Sequence, residues 1–374
     1  MLSPGIVCGF ALVAMQVAPL ANSANVPQHA TALDSEYHDF DKLVSSLRGR
    51  DARQYAIRRP GSVDEAAFVP IGGIEQWITI RGQDRANPVL LFLHGGPGDV
   101  TSCWTFSLFA PWEKYFTVVQ WDQRGAGRTL EKSGPSIAPT LTVERIAQDG
   151  IELSEYLRKQ LAKDKIILVA HSFGSIIGLQ MVHKRPDLFF AYVGTGQVAD
   201  ETKTSEVAYS ALLQHAHAVD NQEAISELTS IGPPPWNSSS VGYGVLREWA
   251  NRFEHADDFI YGTIGLTLVA PGCSVSDINE SVAGQILSGA RLVPQSLSSG
   301  PKQLGLTFSV PIFFFQGAED FTTPTALARS YLGAIRAPEK AFVTIPDAGH
   351  FAVFMRPDQF LAILVNRVRP LAVK

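Results

Sequence analysis

Seven short, almost wholly apolar runs recur along the chain: QWITI (76–80), PVLLFLHGG (88–96), FTVVQWD (116–122), KIILVAHS (165–172), FFAYVGT (189–195), VPIFFFQG (310–317) and KAFVTIPDAGH (340–350). Runs this long without polar alternation are strands buried on both faces, which calls for a mainly parallel sheet covered by helices on either side. The connecting segments supply those helices. In TVERIAQDGIELSEYLRKQL (142–161), Ile146, Ile151, Leu153, Leu157 and Leu161 recur at helical spacing, with Thr142 as N-cap and Glu144 in the first turn. PTALARSYLGAI (324–335) opens with proline at the first helical position, and PDQFLAILVNRV (357–368) closes the chain as an amphipathic helix. From 200 to 301 the alternation stops, with a Pro/Ser/Gly break at IGPPPWNSSSVGYG (231–244). That stretch reads as an inserted helical lid, leaving 61–199 and 302–374 as one α/β core.

A net charge of −5 with interspersed signs offers no basic footprint for nucleic acid and no polybasic membrane patch. The expected partner is a small molecule or short peptide. GIVCGFALVAMQVAPLANSA (5–24) is apolar and ends with Ala21 and Ser23 spaced for cleavage, although no Lys or Arg precedes Lys42. Residues 1–24 therefore read as a signal peptide, and the mature protein as secreted or exported without stable membrane insertion. Residues 25–60 form a polar N-terminal arm, mobile or a surface helix, with a weak amphipathic segment from Phe40 to Leu47. Cys103 and Cys273 lie far apart and read as two buried free thiols, a single bridge being the alternative in an exported chain.

The chemistry concentrates in IILVAHSFGSIIG (166–178), where an apolar strand stops at Ala-His-Ser-Phe-Gly and a helical pattern begins. A serine on so sharp a turn needs small residues two places either side, and Ala170 and Gly174 provide them. Ser172 then stands at a helix start, where free N–H groups favour developing negative charge. A serine nucleophile also needs a base and an orienting acid, in the order Ser, acid, His for a doubly wound hydrolase. FFFQGAEDFTTP carries Glu319 and Asp320 past one strand, VTIPDAGHF carries His350 past the next, and Asp320 is favoured over Glu319 as the acid. In LFLHGGPGD (91–99) the consecutive glycines let backbone N–H groups approach a carbonyl closely. Gly96, with the N–H of Phe173, is the candidate oxyanion hole.

HGGPG (94–98) together with DQRGAGRT (122–129) resembles the prolyl aminopeptidase (proline iminopeptidase) family of α/β-hydrolases, over about 68–199 and 305–370. The resemblance implies an α/β-hydrolase fold and metal-free removal of an N-terminal residue, typically proline, from small peptides through an acyl-enzyme. It also implies substrate-amine carboxylates in the lid. The elbow departs from the family's G-G-S-W-G, and the lid has no W-x-x-W-E. REWANRFEHADD (247–258) offers Trp249, Phe253 and Glu254 as a loose counterpart, with Glu254 or Glu248 placed to pair with a substrate ammonium.

Asp122 and Arg124 read as a structural network behind the oxyanion loop, and His94 and His171 as loop-supporting or pocket-lining residues. The H-x-H of His215 and His217 diverges on a helix and lacks a third ligand, so neither metal nor cofactor is expected. A carboxylesterase or lactonase for small apolar esters is the rival enzyme reading. A ligand-binding protein on a hydrolase fold is the rival from another class.

Overall fold

The computed structural model describes residues 29–236 and 240–373. Eight strands form one sheet: β1 (Val63–Ile71), β2 (Ile74–Gly82), β3 (Val89–Leu93), β4 (Thr117–Trp121), β5 (Ile166–His171), β6 (Phe189–Thr195), β7 (Ile312–Gly317) and β8 (Lys340–Ile345), in the order β1-β2-β4-β3-β5-β6-β7-β8. The pairs β1/β2 and β2/β4 are antiparallel and every other pair is parallel. All residues of β3, β4, β5 and β7 are buried, as their unbroken apolar runs require.

Strand β1 went unread in the sequence. Its VDEAAFVPI alternates poorly because it forms an exposed edge, joined to β2 by a two-residue Gly72-Gly73 turn with φ of 58° and 78°. Such a turn needs positive φ at both positions, which glycine supplies without strain.

Helices cover both faces. The helix Val143–Gln160 begins where expected, the Thr142 side chain accepting the Arg145 N–H at 3.0 Å. In the helix Thr325–Ala334, Pro324 occupies the N-cap position, one residue earlier than its expected place inside the helix. The arm is a long helix, His29–Gln54, that packs on the helix Ala256–Val269, the Arg48 guanidinium donating to the Leu268 carbonyl at 2.7 Å. The proposed leader lies outside the described residues. Among those described, no helix is long and apolar enough to cross a membrane.

Between β6 and β7 stand the helices Glu201–Ala218, Gln222–Ile231, Ser240–Phe253, Ala256–Val269 and Val275–Ser299, with no strand among the described residues there. The first three share a hydrophobic cluster of their own around Leu212, Leu228 and Trp249, which also takes in Phe321 from the loop after β7, while Ala256 and Leu292 of the last two pack into the clusters of the α/β core. Cys103 and Cys273 are joined in a disulfide, correcting the reading as free thiols. The fold brings the loop after β3 against the segment preceding the helix Val275–Ser299, a proximity that 170 residues of sequence separation conceal.

Candidate active site

Strand β5 ends at His171, and Ser172 turns the chain into the helix Phe173–Lys184 with φ 52° and ψ −125°. Positive φ is strained for a residue with a Cβ, and only tight surroundings hold it. Those surroundings explain the small neighbours: a Cβ on Gly174 would lie 2.4 Å from the His94 carbonyl oxygen, and one on Gly95 2.8 Å from the Ser172 Cβ.

Loops after β7 and β8 bring Asp320 and His350 to this serine. His350 Nε2 lies 2.9 Å from Ser172 Oγ, and His350 Nδ1 lies 3.2 Å from both carboxylate oxygens of Asp320. Asp320 is the carboxylate at the imidazole, while Glu319 is exposed. Gln316 Nε2 donates to Asp320 Oδ2 at 2.6 Å, the Thr323 N–H to Oδ1 at 2.7 Å and the Thr323 hydroxyl to Oδ2 at 2.9 Å. Neither Gln316 nor Thr323 was singled out from sequence. A lone glutamine closing the aromatic strand VPIFFFQG was the available signal.

Burial drives the His350 imidazole down to about 3, the Arg247 cation adding to the shift, so the resting imidazole is neutral and able to accept a proton. Burial raises Asp320 against the bonds from Thr323, which favour its charged form. His171 is also pushed well below its ordinary value, chiefly by burial, and pairs through Nε2 with the His350 carbonyl at 3.1 Å. It therefore supports the loop that carries His350.

The loop 94–98 is fastened from behind. His94 Nδ1 lies 2.9 Å from the Gly95 carbonyl, while Nε2 is 3.2 Å from the Gln123 N–H. Since Nε2 must accept, the ring is the neutral Nδ1–H tautomer, and burial lowers it to about 4. Asp122 accepts from the Ser102 hydroxyl and the Arg128 N–H, both at 3.0 Å. Arg124 and Asp149 form a buried ion pair at 2.6 Å. Gly96, with φ 105°, is exposed at the loop's tip. Phe173, as the first residue of its helix, has no intrahelical acceptor for its N–H.

The lid candidates fall elsewhere than expected. Trp249 is 2% exposed inside the helical insertion and donates to Glu227 at 2.8 Å, so it is a packing residue and not a substrate contact. Glu248 is half-exposed in an ion pair with Arg252 at 2.6 Å. Glu254 is buried, with its two oxygens accepting the backbone N–H groups of Phe321 at 2.8 Å and His350 at 2.6 Å. The carboxylate expected to meet a substrate ammonium is thus engaged by the loops that carry Asp320 and His350. His215 packs against Phe253 in a tilted contact and against Phe321 edge-on. Among the described residues, the group with metal-ligand spacing is Cys103, Cys273 and Asp277, and its two sulfurs are bonded to each other.

The sequence profile of the alpha/beta hydrolase family matches residues 90–363. The chain belongs to the α/β-hydrolase family. The chain is 29% identical over 306 residues to the protein named Probable aminopeptidase YbaC of Bacillus subtilis (strain 168), covering 80% of this chain and 94% of the relative. Similar solved structures include a proline iminopeptidase-related protein from Thermus thermophilus (TM-score 0.54, 20% identity, 83% of this chain and 99% of that one). A proline iminopeptidase from Mycobacterium smegmatis gives a TM-score of 0.55 at 17% identity, again over 83% and 99%. At such identities the two structures establish the fold alone, and they agree with the resemblance carried by HGGPG and DQRGAGRT.

Proposed function

We propose that the protein is a serine hydrolase that releases N-terminal residues, proline among them, from small peptides through an acyl-enzyme. The observation that carries this reading is the Ser172–His350–Asp320 chain of contacts, 2.9 Å and 3.2 Å, assembled from the C-terminal ends of three strands. Ser172 Oγ attacks the scissile carbonyl while its proton passes to His350 Nε2. The carbonyl oxygen, now carrying the negative charge, is held by the N–H groups of Gly96 and Phe173. Collapse of this intermediate breaks the C–N bond, and His350 returns the proton to the leaving amine. Water then repeats the sequence on the acyl-enzyme, giving up a proton to His350 and freeing Ser172. Asp320, fixed by Gln316 and Thr323, stabilises the imidazolium and its tautomer.

The aminopeptidase assignment draws support from the relative's name. With Glu254 engaged, the substrate ammonium needs another carboxylate. We assign it to Asp99, three residues beyond Gly96 and half-buried against the helix Val275–Ser299. A Cβ on Gly96 would stand 3.3 Å from the Asp99 Cβ, so the Asp99 side chain branches off beside the oxyanion loop. Its Oδ1 accepts the Val100 N–H at 2.8 Å. Burial raises Asp99 to about 6, so it is largely ionised at neutral pH. The apolar leader and the Cys103–Cys273 disulfide support export to an oxidising compartment.

The test compares prolyl and alanyl arylamides, the N-blocked prolyl arylamide and short p-nitrophenyl esters. Cleavage of the free-amine arylamides, lost on blocking and weakened through KM in Asp99→Asn, is expected. Ester turnover without arylamide cleavage would replace the peptidase by an esterase.

A further inference from the structure

Glu254 is the buried acid that the catalytic steps above leave unused, and its place in the chain is unusual. It follows the last residue of the helix Ser240–Phe253, inside the helical insertion, yet its carboxylate is spent on backbone outside that insertion. One oxygen takes the N–H of Phe321, the neighbour of Asp320, and the other takes the N–H of His350 itself. The fit is close: a Cβ on Gly349 would stand 2.3 Å from Glu254 Oε2. A second contact runs the same way, with Phe321 seated beside Phe253 and His215 in the insertion's hydrophobic cluster.

We infer that Glu254 is a positioning residue that fastens the acid loop and the base loop to the helical insertion, so that the seating of the insertion sets the geometry of the catalytic triad. This rests on the triad reading proposed above. A carboxylate is the one side chain that offers an acceptor oxygen to each of two N–H groups on separate loops. When the insertion is seated, His350 and Asp320 are held together from behind. When it lifts, both loops lose a shared acceptor and the Asp320–His350 register is released.

The perturbation that isolates this role is Glu254→Gln, which keeps shape but has one acceptor oxygen, so that one buried N–H faces an NH₂ group. The expected result is a fall in kcat of about ten- to hundredfold, equal for a p-nitrophenyl ester and a free-amine arylamide, with KM nearly unchanged. Glu254→Asp, with its shorter reach, should restore part of kcat. A fluorophosphonate titration of active sites normalises each rate to competent enzyme, so partial misfolding does not imitate the effect. A defect confined to the free-amine substrate and expressed in KM would overturn the positioning role in favour of an amine contact. Unchanged kcat per titrated site would overturn it altogether. Ser172→Ala is measured alongside: turnover surviving there would refute the triad, whereas Ser172-dependent turnover with a normal Glu254→Gln refutes the positioning role alone.

Discussion

His94 gives a prediction whose size follows from its surroundings. Its ring is buried, its Nε2 must remain unprotonated to accept the Gln123 N–H, and its pKa falls from 6.5 to about 4. Protonation is therefore a few hundredfold less favourable in the fold than in the unfolded chain, roughly 3 kcal/mol at 1.36 kcal/mol per decade. For a base lowered on folding, the associated stability is fully present above the unfolded pKa and is lost as pH falls from 6.5 toward 4. Between pH 7.5 and pH 4.5 the native state should lose about 2–3 kcal/mol through this one group. Glutamine at this position keeps a donor and an acceptor but does not titrate. The assay is urea unfolding of the wild type and His94→Gln at both pH values, and the quantity of interest is the difference between their pH dependences. His171 and the buried carboxylates titrate in both proteins and cancel. A variant that starts less stable at pH 7.5 but loses about 2–3 kcal/mol less on acidification supports the argument. Parallel pH dependences would refute it, because His94 would then carry no unfavourable proton.

Other perturbations have definite expected outcomes. Arg124→Leu leaves the buried Asp149 with only the partly exposed Arg145 as a cation, and should cost about 3 kcal/mol in urea unfolding, the low end for a broken buried pair. Cys103→Ser removes a bridge between segments 170 residues apart, and should lower stability by about 2–5 kcal/mol in the oxidised protein while leaving the reduced protein little changed.

Elements buried on both faces were plain in the sequence because their apolar runs have no competing pattern. The elbow was plain because Ala170 and Gly174 flank Ser172, and the order Ser172, Asp320, His350 followed from strand ends. Edge strand β1 was not, since a half-exposed strand bearing Asp64 and Glu65 resembles a loop. The disulfide was hidden because pairing depends on which loops the fold brings together. Glu254 was found for its composition and given the wrong contact: a carboxylate near aromatics on a helix looks the same whether it faces a ligand or two backbone amides. Trp249 was misplaced for the same reason, as an indole on an amphipathic helix carries no mark of which side is packed.

The most direct test of the central claim is the site of covalent modification by an alkyl fluorophosphonate, read by intact mass and peptide mapping. The account predicts one adduct per chain, on Ser172, abolished in Ser172→Ala and slowed in His350→Ala because the serine loses its base. An unmodified Ser172 in protein that still hydrolyses arylamides or esters, or an adduct on another residue, would contradict it.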